Sequence, residues 1–398
     1  MEEYSQDLVY AQSCEDLDEI LIGNGYMAQP TTPSYFSYGD KAFYYPYLHV
    51  MDDDIEEYLT GNANISSSIN PVTTLRNFYI WAKEPFMRIS GLTFRDYDWK
   101  RMYEHIGYLN VIISYVKEFH EDSEEMRHRI LGEAQFLRAG YYFMLVNLYA
   151  NPYSKETADA TMGVPLNLTE YIEEGYFSRD PVAAVYRQIV TDLENAIVNL
   201  SGIKQPTIYR VNEKAARALL SRVYLYMGEW QLVIDECDEI IKMGCSLWDL
   251  NNFDPGTATF GCKRDYFLAK ESPEIFFTQG AGVVGLLMDN QNITSQTRYR
   301  ASDELYGIYS KYEKDGILDL RKNCFFEMSK RDNGYFFVRK NPMFDATVFD
   351  SFLLRSGEIY LNKAEAQAML DQADAINTMK ELMNKRYADH KLPVIDGL

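Results

Sequence analysis

The 398-residue sequence predicts a mainly α fold, built of antiparallel helical pairs with large irregular insertions and a few short strands. Two observations predict it. Apolar residues recur at three- and four-residue steps, the period of one helix face, through segments that make up roughly half the chain. Between these segments lie two long blocks without that period, about 24–98 and about 246–350, rich in Gly, Asn, Pro, Asp, Arg and aromatics. Irregular stretches of this size inside a compact chain usually carry function. The helical scaffold is therefore expected mainly over 99–245 and 351–388, and the ligand side in the two blocks.

The first helical segment is WKRMYEHIGYLNVIISYVKEF at 99–119, with Tyr103, Ile106, Leu109, Asn110 and Ile113 on one face. The second is LGEAQFLRAGYYFMLVNLY at 131–149. Ala134, Leu137, Tyr141, Met144, Leu145 and Leu148 form its stripe, and Tyr142 and Phe143 widen it. A helix apolar on most sides is a buried one. Arg138 and Glu133 are expected to satisfy each other or nearby loops, and the turn with Pro152 to end the helix. Its partner is PVAAVYRQIVTDLENAIVNL at 181–200, with Asp180 as cap and Pro181 in the first turn.

The clearest hairpin spans 211–244. Asn212 caps the first helix, Gly228 stops it, and Gly244 stops the second. So short a turn folds the pair back antiparallel. The spacing of Leu220, Tyr224, Gly228, Val233 and Cys237 fits a tetratricopeptide repeat loosely. A further pair occupies 351–386, where Ala364 and Ala368 pack closely and Asp371–Gln372 mark the turn. In the second block EIFFTQ (274–279) and GYFFVRK (334–340) read as strands.

Composition narrows the function. A formal net charge of -20 repels phosphate backbones and anionic lipid headgroups, which argues against nucleic acid and against a polybasic membrane anchor. The longest apolar runs, 280–288 and 111–116, are far short of a membrane-spanning helix. The five cysteines form no CxxC pair, so isolated thiols are expected rather than a metal or disulfide framework. The 32 tyrosines suit recognition surfaces and helix packing alike.

Four motifs carry candidate chemistry. GAGVVG at 280–285 is a literal GxGxxG, but the MDNQNITSQTRYR segment after it is a poor helix leading to no second strand, so a loop is expected and no nucleotide cofactor. MDDDIEE at 51–57 lacks the spacing of a calcium loop. It reads as a helix start or, alternatively, as a polar ligand contact. His120, Glu124 and His128 fall at four-residue steps, where a solvated helix end outweighs a metal site. The sharpest candidates are aromatics in the irregular blocks. Tyr58, Trp81 and Tyr97 in the first and Tyr299 in the second would offer flat faces. Asp53, Glu57, Gln296 and Arg298 would supply hydrogen bonds, the mixture that suits a sugar's C–H faces and hydroxyl rim. Trp99 is the weakest aromatic, because it starts a helix and is expected to enter its core.

Taken in order, GEAQFLRAGYYFMLVNLY, NPYS…GVPLNL, VYRQIVTDLENAI, RVNEKAARALLSRVYLYMGEW, SPEIFF and LRSGEIYLNKAEA resemble the landmarks of the SusD/RagB family of Bacteroidetes nutrient-binding proteins. The matches run from about residue 100 to 386. The resemblance implies a single SusD-like domain over 1–398, with a tetratricopeptide-like scaffold and a ligand face built from the irregular blocks. It implies a lipid-anchored protein on the outer face of the outer membrane. It also implies capture of a glycan or other nutrient for a SusC-like TonB-dependent transporter, without catalysis, cofactor or metal. The family's lipoprotein signal, acylated cysteine and Arg-rich closing segment find no counterpart in these 398 residues, so the anchor rests on the resemblance. Two other classes remain open: a tetratricopeptide-type protein-interaction module, and a glycoside hydrolase using a carboxylate pair.

Overall fold

A computed structural model of the chain describes residues 11–28, 43–58, 71–87, 91, 93, 96–171, 177–254, 267–281, 298–329, 334–337, 348 and 351–394. The elements run α1 (Cys14–Ile20), β1 (Ile55–Tyr58), α2 (Pro71–Tyr79), α3 (Asp98–Tyr115), α4 (Glu124–Tyr149), α5 (Val182–Leu200), α6 (Glu213–Met227) and α7 (Trp230–Lys242). They continue with β2 (Ile275–Gln279), β3 (Arg298–Ala301), α8 (Asp303–Ile308), α9 (Arg321–Phe325), β4 (Phe326–Ser329), β5 (Gly334–Phe337), β6 (Phe352–Arg355), α10 (Ser356–Met369) and α11 (Asp374–Met383). The fold is mainly helical, as the periodicity predicts, and divides into two compact units. One lies within Met1–Ala28 and Trp99–Ile240, the other within Gln29–Asp98 and Ile241–Leu398.

The first unit is a stack of helices. Its central member, α4, is buried at every position from Gly132 to Phe143. It begins seven residues before the apolar run because Ser123 caps it, the hydroxyl accepting the Met126 N–H at 3.2 Å. Glu124 and Glu125 in the first turn complement the helix dipole. Only Glu124 and His128 of the expected stripe lie on the helix, as an exposed pair 3.8 Å apart. His120 precedes the helix, and no metal-binding cluster forms among the described residues.

Helix α4 packs along α5, the pairing expected from the sequence. Gly132 permits the close approach, since a Cβ there would stand 2.7 Å from Leu200 Cγ. The start of α5 differs from expectation. Pro181 is the capping residue and the helix begins at Val182. The Asp180 carboxylate instead accepts the Leu166 N–H at 2.7 Å, tying down the 163–171 loop. The α6–α7 hairpin forms as predicted. Asn212 accepts the Ala215 N–H at 3.0 Å, Gly228 turns the chain at φ 69°, and Arg217 bridges to Glu236 at 2.8 Å.

The polar residues of α4 find partners other than each other. Residues five apart on a helix point about 140° apart, so Glu133 and Arg138 face different neighbours. Arg138 makes a buried two-bond pair with Asp192 of α5, at 2.8 and 2.6 Å, and donates to Asn110 of α3 at 2.9 Å. Glu133 accepts from the Tyr26 hydroxyl, from Arg210 at 2.8 Å, from Arg129 at 3.1 Å and from Gln205 at 2.9 Å.

Asp18 of α1 bonds both arginines, at 3.0 Å to Arg129 and closely to Arg210, so α1 is clipped to α4 by charge. Burial alone would raise the Asp18 carboxyl, but the bonds from Arg129 and Arg210 outweigh it and hold the group below its usual value. Its folded value therefore lies below its unfolded value. The stabilisation is fully present above the unfolded value, about 4, and is lost as pH falls through the folded one. Urea unfolding at pH 7, 5 and 3 is expected to show wild-type stability falling below pH 4. Asp18→Asn should be less stable at pH 7 and show a shallower fall.

Among its described residues the second unit holds three two-stranded antiparallel ribbons, β1–β3, β2–β6 and β4–β5, together with the α10–α11 hairpin. The strand runs expected at 274–279 and 334–340 appear as β2 and β5. All five residues of β2 are buried. Glu274, just before β2, is fully buried and accepts from Arg386 at 2.6 Å and from the Trp248 N–H at 2.8 Å. A small core of Leu250, Phe253, Phe267 and Cys324 lies nearby in the same unit. The four described cysteines are free thiols. No described helix is long and apolar enough to cross a membrane. Of GAGVVG only Gly280 and Ala281 lie within the described residues.

Candidate ligand-binding face

The two irregular blocks meet in one ribbon of the second unit. Strand β1 pairs with β3 in the register Ile55–Ala301, Glu56–Arg300, Glu57–Tyr299 and Tyr58–Arg298. Four of the eight candidate residues thus sit in two adjacent cross-strand pairs. The sequence contains no local sign of this pairing, because the partners lie about 240 residues apart.

The acidic stretch is not a helix start. Pro46–Val50 form a short 3-10 helix, Asp52–Asp54 turn the chain, and β1 comes next. Asp52 accepts the Asp54 N–H at 2.9 Å, the side-chain-to-backbone bond that favours Asp in turns. The Asp54 carbonyl accepts the Ser302 N–H at 2.8 Å, and the Ser302 hydroxyl caps α8. Asp53 is exposed. Partial desolvation and the charges of Asp52 and Asp53 hold the Asp54 carboxyl above its usual value.

Helix α2 completes the face, and the sequence reading missed it. The signal was present but short: Pro71 at the first helical position and Leu75 and Phe78 three apart. Phe78 stacks on Tyr47 at 4.4 Å between centroids, and Phe86 meets Phe78 edge-on at 5.1 Å. On the side toward the ribbon, Arg76 pairs with Glu57 at 3.1 Å and the Tyr79 hydroxyl accepts the Glu57 N–H at 3.1 Å. Helix α2 therefore touches both elements that the Asp52–Asp54 turn connects.

The candidates divide by environment. The Tyr299 ring is fully buried and packs on Tyr79 at 5.4 Å. Burial, and then the neighbouring Glu57 charge, push its hydroxyl well above the usual value. The Glu57 side chain is 12% exposed and engaged by Arg76. Tyr97 is half-buried just ahead of α3, and no hydrogen bond or ring contact ties it to the ribbon among the described residues. Gln296 lies outside the described residues. Trp99, expected in a helix core, is half-buried in the first unit against Tyr103, Tyr149 and Arg179.

Trp81 stands apart, 71% exposed with φ 51°. The end of α2 is a left-handed cap. The Trp81 N–H reaches the Phe78 carbonyl at 3.0 Å and the Ala82 N–H the Asn77 carbonyl at 2.8 Å. The same bond pattern ends α6 and α10. There the left-handed residue is Gly228 or Asp371, both types that tolerate the conformation. A large side chain at this position is strained by about 1–2 kcal/mol. At Trp81 no burial compensates for that strain.

Residues 51–225 match the family model SusD-like_3, described as starch-binding associating with outer membrane. The fold agrees with solved structures. A SusD superfamily protein from Bacteroides thetaiotaomicron aligns with a TM-score of 0.64 at 19% identity, covering 95% of this chain and 81% of that one. Over residues 51–225 the chain is similar to the SusD-like family, and its fold is SusD-like. A putative sugar binding protein from Bacteroides vulgatus aligns with a TM-score of 0.68 at 23% identity, over 94% of this chain and 79% of that one. A laminarin binding SusD-like protein aligns with a TM-score of 0.52 at 18% identity, over 85% and 83%. Among curated proteins, SusD-like protein P25 of Formosa agariphila is 27% identical over 177 residues, 44% of this chain and 31% of that relative's own length. At these identities the solved structures establish the SusD-like fold alone.

Proposed function

We propose that this SusD-like chain binds a glycan at the cell surface, without catalysis, and passes it to a SusC-like TonB-dependent transporter, held at the outer membrane by a lipid anchor. The observation that carries the binding reading is Trp81, an exposed indole kept in a left-handed backbone position where glycine would be unstrained. Strain held at an exposed aromatic signals a constraint other than folding. An indole face suits the C–H face of a sugar ring, and the exposed Asp53 carboxylate, in the same unit, suits hydroxyl hydrogens. The strand-end pair Tyr58–Arg298 of the β1–β3 ribbon belongs to the proposed site, with Gln296 ahead of Arg298 in sequence. Glu57 and Tyr299 form its foundation, holding the ribbon against α2.

The family description and the laminarin-binding neighbour favour a glycan over other nutrients. Isothermal titration with starch, laminarin, xylan and polygalacturonate tests this. Saturable binding of at least one, at millimolar or better affinity, is expected. Absence of binding to the whole panel removes the glycan reading.

A further inference from the structure

We infer that the first unit carries a second glycan contact, an aromatic platform of Tyr153 and Tyr226 rimmed by Lys155 and Glu229; this rests on the reading of the chain as a glycan binder. Four rings form a connected chain across α4, α5, α6 and the loop after α4. Phe143 of α4 meets Tyr186 of α5 edge-on at 6.1 Å and Tyr226 of α6 edge-on at 5.1 Å. Tyr153, in the loop, packs on Tyr186 at 4.8 Å. Phe143 and Tyr186 are buried and form the floor. The floor is fixed, because the Tyr186 hydroxyl donates to Asn147 at 3.1 Å and Asn147 donates to the Phe143 carbonyl at 2.8 Å. Tyr153 is half-buried and Tyr226 is 53% exposed. Burial, and beyond it the Tyr226 and Tyr153 hydroxyls, push the Tyr186 hydroxyl up to about 12, so both outer rings lie close to the same buried one.

Polar groups border these rings. Lys155 follows Tyr153 by two residues, and Glu229 follows Tyr226 by three. Lys155 donates to the Gly228 carbonyl at 3.2 Å and pairs with Glu229 at 3.1 Å, which ties the loop after α4 to the end of α6. An ammonium has three N–H donors and a carboxylate two acceptor oxygens. After these bonds Lys155 retains a donor and Glu229 an oxygen, among the described residues, and both side chains reach solvent. Flat ring faces beside a donor and an acceptor are the mixture that binds a sugar, whose C–H face lies on the ring while its hydroxyls reach the rim. An apolar side chain of a protein partner laid on the same rings would cover the rim and leave those groups unpaired, a cost that hydroxyls avoid.

The test titrates starch, laminarin, xylan and polygalacturonate into wild type, Trp81→Gly, Tyr226→Ala and the double variant. Tyr226→Ala is expected to weaken binding of the best-bound polymer by roughly threefold to tenfold, the worth of one aromatic contact. The double variant should lose the binding that Trp81→Gly retains, and Tyr226→Phe, which keeps the ring, should hold most of the wild-type affinity. A Tyr226→Ala chain that binds every polymer as wild type does overturns the inference and leaves the Trp81 reading intact. Loss in Tyr226→Ala with none in Trp81→Gly supports the inference and removes Trp81 from the glycan reading. Absence of wild-type binding to the whole panel removes both. Self-association of wild type on sedimentation, lost in Tyr226→Ala, makes the patch a contact between copies and overturns the inference. If Tyr226→Ala does not fold, Lys155→Ala decides in its place, since it alters an exposed rim group and leaves the rings packed.

Discussion

Replacing Trp81 with glycine is expected to make the protein more stable and at the same time remove most of its glycan affinity. The left-handed position at the end of α2 strains a tryptophan by about 1–2 kcal/mol, and glycine relieves it. Part of that gain is offset because glycine gives the unfolded chain more freedom. The indole is 71% exposed, so little burial is lost with it. The net gain is about 0.5–1 kcal/mol, read as a higher urea midpoint. Binding moves the other way. Covering one aromatic face with a sugar is worth about 1.5–3 kcal/mol, and its loss weakens affinity roughly tenfold to a hundredfold. Opposed signs from one substitution are the pattern of a residue retained for function against stability. A loss of stability in Trp81→Gly would make the indole a packing residue, and unchanged affinity would remove it from the site.

Arg138→Ala is expected to have the largest effect on the fold. Arg138 and Asp192 are both nearly fully buried and joined by two short bonds, between the two helices at the centre of the first unit. Removing the guanidinium leaves the Asp192 carboxylate buried with no countercharge. Such losses reach about 3–5 kcal/mol, a large part of the stability of an ordinary domain. Arg138→Met combined with Asp192→Leu, which replaces both charges with apolar groups, should recover much of that loss. Urea unfolding of Arg138→Met, Asp192→Leu and their combination, alongside Arg138→Ala, measures the coupling directly. If the single variants cost under about 1 kcal/mol, water reaches the pair and it behaves as a surface ion pair.

How much was legible in the sequence depended on the range of each interaction. Asn212, Gly228 and the turn at Asp371 act within four or five residues, so their roles in capping and turning could be read from neighbouring letters. Helix α4 was visible because burial on most sides leaves a nearly continuous apolar run. Its true start at Ser123 was missed, since the added residues are charged and exposed and carry no period. Asp180 shows the limit of local rules. Its position suited a cap, but its carboxylate was better satisfied by the Leu166 N–H across a loop. Glu133 and Arg138 likewise looked complementary by proximity, yet helix geometry turned them toward different partners.

Local pattern was enough to specify the long scaffold helices, their hairpins and the SusD-like resemblance, because these depend on periodicity, caps and turns that act over a few residues. It also singled out Trp81 as a candidate, although nothing in the string of letters showed that its backbone is left-handed. Three features emerged solely from the folded chain: Glu57 and Tyr299 face each other across a ribbon, Arg76 and Tyr79 brace it, and Trp81 remains exposed at the end of α2. Such contacts join residues whose sequence neighbourhoods do not refer to one another. Closing a loop of that length is opposed by chain entropy and stabilised only by the assembled fold. The partners were therefore settled by packing, which no local pattern records.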